Sequence, residues 1–390
     1  MMRRILIAAA VLLVFVAVVG RLVVPGRLER ATNQVEPHAP WPVDDATRAF
    51  HQTLLVGDLH ADTLLWDRDL LERANRGHVD LVRLAEGNAA VQVFATVTKT
   101  PSGQNYESNT AETDNITALA LIQGWPLATW TSLKARALHQ AARLHDAAAR
   151  APDRLVVLED RGDLEEVLAR RARGESVLGG LLATEGSHAL DGELASIAEL
   201  RGAGFRMMSL QHFFDNSLGG SLHGQSKSGL TPFGREVVLE LVRQKIMLDV
   251  AHSSPAVVEE VLAMVEVPLV VSHTGIHSIC PSPRNISDRL MRKIGERGGL
   301  IGIGFWDAAV CDITPAGIAR AIRGAVSVAG IDHVALGSDW DGGTTVMVDA
   351  SELPALTQAL LAEGFTRPEV GQIMGGNLVR YLRENLPVPE

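Results

Sequence analysis

The chain has 390 residues, of which 46% are apolar, 21% are charged and only 4% are aromatic. The apolar fraction excludes a disordered or fibrous chain. With 36 basic and 46 acidic residues the formal charge is −10, which argues against a nucleic-acid-binding protein. Cys280 and Cys311 are too few cysteines for a disulfide scaffold or a four-cysteine zinc site. The length alone is compatible with about two or three average domains or with one α/β barrel.

The N-terminus predicts export. Two arginines precede Ile5–Gly20, an apolar run of 16 residues without a charge. As a helix this run is about 24 Å long, short of the roughly 30 Å of a bilayer core, but snorkelling of Arg21 would let residues 22–24 extend it. We therefore expect residues 1–24 to form a hydrophobic signal-anchor helix, with a cleaved signal peptide as the alternative. The catalytic part would then be extracytoplasmic, either anchored to the membrane or secreted.

Residues 25–43 contain four prolines, which predicts a tether rather than part of a core. The remaining residues, 44–390, contain no internal repeat and no low-complexity segment. They are therefore expected to form one globular domain.

Eight short runs rich in Val, Ile and Leu alternate with stretches of helical character in this domain. The predicted strands are Leu54–Leu59, Ala90–Val97, Leu178–Thr184, Phe205–Leu210, Ile246–Ala251, Leu269–Ser272, Gly299–Phe305 and His333–Gly337. The predicted helices are Thr117–Ala149, Asp163–Gly174, Leu194–Arg201, Gly234–Arg243, Ala256–Glu266, Ser287–Glu296 and Pro315–Ala329. Near-continuous apolar strands are typical of a parallel sheet buried on both faces, and this alternation predicts an α/β fold of the (β/α)₈ barrel type. Arg154–Leu158 is interpreted as an extra strand in the second connection.

Groups that bind metals or transfer protons lie at or just after the ends of six predicted strands. They are His60, Asp62, Glu185, His212, His252, His273 and Asp339. In a (β/α)₈ barrel the active site lies at the carboxyl ends of the strands, so these groups are expected to converge. Clustered charged and imidazole groups cost free energy without a partner, and a divalent metal is such a partner.

The types of ligand favour zinc. His60 and Asp62 are two residues apart, so their side chains project to the same side of an extended segment. Imidazole and carboxylate are the ligands expected at a catalytic zinc site. With His252 and His273 they suffice for two ions bridged by Glu185, and two neighbouring ions would activate a water molecule for hydrolysis. A single zinc ion with spare histidines is an alternative that the spacing leaves open.

Longer motifs surround these residues and follow one another from about residue 50 to residue 382. They are Gly57–Thr63, Ala183–His188, Gln211–Asn216, Leu248–His252, Ser272–Thr274, Pro283–Asn285, Gly337–Gly342 and Gly375–Leu378. In order and spacing they resemble the membrane (renal) dipeptidase family. The resemblance implies a metal-dependent dipeptidase barrel with two zinc ions per subunit, usually in a homodimer.

The resemblance also implies how the ligands are divided. His60, Asp62 and Glu185 would hold one zinc ion. Glu185, His252 and His273 would hold the other, so that Glu185 bridges the pair.

Three further residues match positions with a role in the family. His212 would stabilise the oxyanion formed from the scissile carbonyl group, because it aims a donor at developing charge. Arg284 would bind the C-terminal carboxylate of the substrate, a task suited to a planar guanidinium. Asp339 would act as general base and then as general acid toward the leaving amine.

The expected function is hydrolysis of dipeptides, including those with a C-terminal D-residue, by a metal-bridged water molecule. The alternative is a non-catalytic, membrane-tethered barrel acting as a sensor or scaffold. Such a protein would be expected to lack a metal ligand or the acid–base group, and the sequence lacks neither.

The two cysteines follow the sixth and seventh predicted strands. In an oxidising compartment they would form a disulfide between neighbouring loops, as the resemblance suggests. Two separate, partly buried thiols are the alternative.

Overall fold

A computed structural model describes residues 19–21 and 23–389 of the chain. Its strands, in chain order, are β1 Gln34–Val35, β2 Val56–Ala61, β3 Ala89–Val97, β4 Leu155–Val157, β5 Leu178–Glu185, β6 Phe205–Ser209, β7 Met247–Asp249, β8 Val270–Thr274, β9 Leu300–Ile303, β10 Val334–Leu336 and β11 Thr345–Val346. Eight of them close into a parallel barrel in the order β2, β3, β5, β6, β7, β8, β9, β10 and back to β2. The predicted (β/α)₈ fold is confirmed.

Helices surround the barrel. They are α1 Asp45–His51, α2 Leu81–Glu86, α3 Asn115–Gln123, α4 Leu133–Arg150, α5 Arg161–Ala172, α6 Ser196–Gly202, α7 Pro232–Arg243, α8 Pro255–Met264, α9 Asp288–Glu296, α10 Asp307–Val310, α11 Pro315–Ala329, α12 Leu353–Ala362, α13 Arg367–Gly371 and α14 Asn377–Asn385. Thr231, Ser254 and Thr314 cap α7, α8 and α11, each followed by a proline at the first helical position. Such caps satisfy backbone N–H groups that have no partner within the helix.

All eight predicted barrel strands are present, and β4 pairs with β5 on the outside of the barrel as an extra strand. The single predicted helix Thr117–Ala149 is wrong, because α3 and α4 are separate. Gly124 ends α3 in the left-handed conformation, at φ +67°, and Pro126 follows it. Glycine in this conformation is a common helix terminator, and proline does not continue a helix.

Each barrel strand is buried along its whole length. Where β8, β9 and β10 approach most closely, the residues facing inward are glycines. A Cβ atom on Gly302 or Gly337 would lie 2.1 Å from the carbonyl oxygen of Ser272. Larger residues at these two positions are therefore excluded by the backbone of the neighbouring strand.

Residues 23–32 are helical and, with β1, form a unit that we call the N-terminal segment (residues 23–35). Glu29 is only 1% exposed, and its carboxylate binds Arg68 and Arg76, each at 2.5 Å. Strand β1 pairs with β11. Much of the predicted tether 25–43 is thus packed on the barrel, because distant arginines neutralise a buried carboxylate within it.

Residues 1–18 and 22 of the predicted signal-anchor helix lie outside the described residues. Among the residues described, no helix combines the length and apolar character needed to cross a membrane. The expected bond between Cys280 and Cys311 is present, with the two Cα atoms 5.5 Å apart. It links the loop after β8 to the residue that follows α10.

Candidate functional site

The predicted site residues converge at the carboxyl ends of the barrel strands. His60 and His273 belong to β2 and β8, and Glu185 is the last residue of β5. His252 and Asp339 follow β7 and β10 with left-handed backbones, at φ +59° and +60°. Non-glycine residues seldom adopt this conformation, and strain of this kind is typical of functional sites.

Glu185 lies at the centre of the cluster. Its Oε1 atom is 3.5 Å from Nε2 of His60, 3.2 Å from Nε2 of His252 and 3.3 Å from Nε2 of His273. The other oxygen, Oε2, is 3.3 Å from Nε2 of His212. All five side chains are buried. One carboxylate therefore faces four imidazoles, and its two oxygens face different ones.

The donor atoms fit bound cations. Three sets of three residues each place their possible ligand atoms within 4.8 Å of one another, and Glu185 belongs to two of these sets. The sets are His60, Glu185 and His273; Glu185, His212 and His252; and His60, Asp62 and Asp339. His212 thus lies in a possible ligand set as well, in addition to the oxyanion role that the resemblance implies for it.

Buried polar atoms without a hydrogen-bond partner also indicate a cation site. His60 Nε2 and Asp62 Oδ1 are buried 3.5 Å apart without a hydrogen-bond partner among the described residues. Nε2 of His252 and Nε2 of His273 are only 2.9 Å apart. Buried polar atoms normally have partners, so electron pairs gathered in this way favour a shared cation.

Burial and neighbouring charges together shift the pKa of the carboxyl groups. Burial would raise the pKa of Glu185, but the positive charges of His212 and His60 and hydrogen bonds from two other imidazoles hold it well below its usual value. Burial followed by the charge of Glu185 raises the pKa of Asp62 to about 7. Asp339 has its pKa raised well above the usual value, by burial and then by the charges of Asp62 and Glu185. Excess negative charge is therefore concentrated where a cation would neutralise it.

The histidines farther from Asp62 are kept neutral. Burial, followed by the charges of neighbouring cations, holds the pKa of both His252 and His273 well below the usual value. The neutral imidazole is the form that binds a metal. The Ser272 hydroxyl lies 2.9 Å from Nδ1 of His273, which leaves the Nε2 atom of that ring facing Glu185. Such an outer partner fixes the orientation of a metal-binding ring.

Arg284 lies at the edge of the cluster, 2% exposed. Its Nη2 atom donates to the carbonyl oxygen of His273 at 3.1 Å, and its guanidinium lies over the ring of Trp306 at 5.2 Å. Arg284 also lines a cavity, where a planar guanidinium is suited to binding an anion.

That cavity, of about 550 Å³, opens above the cluster. Its polar side is formed by Asp62, Glu185, His212, His252, Arg284 and Asp339. Its apolar side is formed by Leu28, Leu65, Trp66, Val97, Ile116, Leu119, Ile122 and Phe213. The apolar side was not predicted from the sequence, because no motif marks residues whose only common property is the space that they enclose.

Two other buried acids support the site from outside. Asp58 accepts hydrogen bonds from the backbone N–H of Ser338 at 2.7 Å and from Gln92 at 2.7 Å. Asp341 accepts from the Thr63 hydroxyl at 2.7 Å and binds Arg68. These bonds join β2 and its loop to the loop that carries Asp339.

A sequence profile described as membrane dipeptidase (peptidase family M19) matches residues 44–387. The chain belongs to this family. The resemblance carried by the sequence motifs is thereby confirmed, and the chain is a metal-dependent dipeptidase. The alternative of a non-catalytic scaffold is not needed, since the predicted ligands and Asp339 all lie in one site.

The chain is similar to a curated protein and to two solved metallopeptidase structures. An uncharacterized protein in the pqqA 5′ region of Klebsiella pneumoniae is 29% identical over 259 residues, which cover 63% of this chain and 94% of that protein. A metallopeptidase from Rhodobacter sphaeroides, liganded with a phosphinate mimic of the dipeptide L-Ala-D-Ala, is 25% identical with a TM-score of 0.68, covering 85% of this chain and 99% of that one. Dipeptidase AC, a metallopeptidase of family M19, is 26% identical with a TM-score of 0.70, covering 86% and 99%.

Proposed function

We propose that the protein is a two-zinc dipeptidase that hydrolyses dipeptides with a free C-terminal carboxylate, including a C-terminal D-residue. The main support is the position of Glu185, whose carboxylate is shared by two sets of possible ligands. The family resemblance, rather than these sets, assigns one ion to His60, Asp62 and Glu185 and the other to Glu185, His252 and His273. It is compatible with the structure because Oε1 of Glu185 lies within 3.5 Å of Nε2 of His60, His252 and His273. Bound ions of this kind lower the pKa of water and polarise a carbonyl group.

The residues of the chain would position the substrate as follows. Arg284 would bind the C-terminal carboxylate through two parallel N–H groups. The scissile carbonyl carbon would then lie above Glu185, with its oxygen directed toward His212. The Nε2 atom of His212, which lies 3.3 Å from Oε2 of Glu185, would carry a proton and donate to the oxyanion, and so stabilise the transition state.

Asp339 would carry the proton through the reaction. As a carboxylate it would remove one proton from the attacking water while the oxygen adds to the carbonyl carbon. The protonated Asp339 would next give that proton to the leaving nitrogen, and the C–N bond would break. The products are two free amino acids, and Asp339 would return to its starting charge.

The size of the cavity limits the substrate. At about 550 Å³ it lies in the range typical of small-molecule sites. A D-residue at the C-terminal position is proposed because the phosphinate bound by the Rhodobacter relative mimics L-Ala-D-Ala. Longer peptides would not fit between Arg284 and the apolar side.

A dipeptidase assay with purified protein tests the proposal. Deletion of residues 1–43 would remove the N-terminal segment that packs on the barrel, so the assay should use protein that begins at residue 19. The metal-replete enzyme is expected to hydrolyse a panel of L,L and L,D dipeptides and to lose activity in a chelator, with recovery on addition of zinc. The same dipeptides blocked as C-terminal amides serve as the control. Absence of turnover of every dipeptide, with two zinc ions bound per chain, would contradict the proposal.

We also propose that residues 1–24 anchor the enzyme with its barrel outside the cytoplasm. The apolar run in the sequence supports this location, and so does the disulfide between Cys280 and Cys311, since such bonds persist in oxidising compartments. Fractionation of cells that express the full chain tests the proposal, and recovery in the cytoplasmic fraction would contradict it. A secreted form would indicate a cleaved signal peptide.

A homodimer is proposed from the family resemblance alone. Light scattering of the purified protein tests it, and a mass of one chain at micromolar concentration would contradict it.

A further inference from the structure

The cavity is lined in part by residues that precede the match to the family profile. Leu28 and Thr32 line the same cavity as Glu185 and Arg284. The match to the family profile begins at residue 44, so both residues lie outside the part of the chain that the profile covers. Leu28 is 40% exposed and has room to contact a ligand at the entrance of the cavity.

The N-terminal segment is held in place directly after Leu28. Glu29, buried next to Leu28, binds Arg68 and Arg76. Four residues farther on, Oδ1 of Asn33 accepts a hydrogen bond from the backbone N–H of Gly343 at 2.8 Å. Strand β1 then continues this contact by pairing with β11. A side chain carried on such a fixed segment gives a cavity a defined shape.

The apolar side lies away from Arg284 around the barrel. Arg284 lies beside His273 on β8, whereas Leu65 and Trp66 follow β2, and β9 and β10 stand between those strands. Helix α3, which follows β3, adds Ile116, Leu119 and Ile122. If the C-terminal carboxylate binds Arg284, the N-terminal half of a dipeptide extends toward this apolar side.

We infer that Leu28 completes an apolar subsite for the side chain of the N-terminal residue, formed with Leu65, Trp66, Ile116, Leu119 and Ile122. This inference rests on the proposed function and deepens it, because it names the class of substrate. Large apolar side chains at the N-terminal position gain by leaving water, whereas glycine gains nothing there. The enzyme therefore favours dipeptides such as Leu-Ala over Gly-Ala.

The inference is tested by measuring kcat/KM for Leu-Ala and for Gly-Ala in the wild type and in two variants, Leu28→Trp and Leu28→Ala. In Leu28→Trp the indole fills the subsite and lowers the ratio of Leu-Ala to Gly-Ala about tenfold. In Leu28→Ala the lost contacts lower the same ratio about threefold. Leu239→Trp and Leu239→Ala are matched controls, because Leu239 is 54% exposed on α7 and does not line the cavity. Ratios within twofold of the wild type in both Leu28 variants would overturn the inference.

The activity of the wild type distinguishes failure of the proposed function from failure of the subsite inference. Hydrolysis of Gly-Ala by the metal-replete enzyme shows that the catalytic assignment holds, whatever the ratio does in the variants. Without turnover of either dipeptide, calorimetry with the phosphinate analogues of Leu-Ala and Gly-Ala measures the same preference as a ratio of Kd values. A Leu28-dependent ratio would then support the subsite, and a ratio unaffected by Leu28 would overturn it.

Discussion

Oε1 of Glu185, the last residue of β5, lies 3.2 Å from Nε2 of His252 in the loop after β7, across the carboxyl end of β6. The opposite oxygen of the same carboxylate faces His212. Burial by itself would raise the pKa of this carboxyl group, but the surrounding imidazoles stabilise its ionised form. The fold thus prepares a carboxylate that can bind a cation.

Glu185→Gln should reduce activity far more than stability. An amide keeps the shape of the side chain but removes the negative charge that two cations would share. We expect kcat/KM to fall at least about 100-fold, as for loss of other central groups of a metal site, and zinc content to fall below two ions per chain. Thermal unfolding should change by a few degrees only.

Glu259→Gln is the matched control for this substitution, since Glu259 binds Arg289 and Lys293 on the surface. It should retain full zinc content and activity, because surface ion pairs contribute little. Full activity in Glu185→Gln would show that the assignment of two metal ions is wrong.

The convergence of the candidate ligands was predictable from sequence, whereas the packing of the N-terminal segment was not. His60, Glu185 and His273 follow or end apolar strands, and the topology of a (β/α)₈ barrel brings such strand ends together. Glu29, in contrast, is buried because of Arg68 and Arg76, which are 39 and 47 residues away. Nothing local marks that partnership, and the prolines nearby indicate a tether.

The break between α3 and α4, in contrast, has local signals in the sequence that the prediction of one helix did not use. Both stretches have the composition of a helix, and Gly124 alone costs only about 1 kcal/mol within one. Gly124 in the left-handed conformation followed by Pro126 ends α3, and the Ser132 side chain caps α4. Composition alone therefore did not locate the boundary, whereas these three residues do.

Arg284→Lys should weaken binding of the substrate carboxylate. Lysine keeps the positive charge but loses the planar pair of N–H donors, so we expect kcat/KM for Gly-Ala to fall about 10- to 100-fold, chiefly through KM. The comparison of Gly-Ala with glycyl-alaninamide isolates the effect. Wild type should prefer the free acid strongly, and the variant should lose most of that preference.

Thermal unfolding must be followed in the same variant, because Arg284 also donates to His273. A preference for the free acid that is unchanged in Arg284→Lys would exclude this residue as the carboxylate-binding group.

Removal of the disulfide should affect both stability and substrate binding. Cys280 and Cys311 are 31 residues apart, and closure of such a loop is worth about 2–4 kcal/mol in the unfolded chain. Cys280 also accepts a hydrogen bond from Asn285 through its carbonyl oxygen at 2.9 Å, next to Arg284. The double variant Cys280→Ala/Cys311→Ala should therefore unfold in less urea and show a higher KM.

Alkylation of the unreduced wild type, followed by mass spectrometry, is the control for the bond itself. Neither thiol should react before reduction. If the double variant unfolds at the same urea concentration as the wild type, the bond does not contribute to stability.

His51 should make the stability of the fold dependent on pH. The ring is fully buried, with Nδ1 2.8 Å from the Thr357 hydroxyl and Nε2 3.0 Å from the carbonyl oxygen of Gly87, so it joins α1 to α12. Burial lowers the pKa of His51, and the bond to Gly87 offsets this only in part. Below a pH of about 6.5 the unfolded chain therefore binds a proton that the folded chain does not.

The stability contributed by neutral His51 is thus complete above the unfolded pKa and is lost as the pH falls below it. His51→Gln, which keeps an amide donor and acceptor but does not titrate, should cost about 1–2 kcal/mol at pH 7.5. The difference in Tm between wild type and variant should narrow at pH 5.5. His277→Gln, at an exposed position, controls for loss of an imidazole. A difference between wild type and His51→Gln that stays constant from pH 7.5 to 5.5 would show that His51 does not couple folding to protonation.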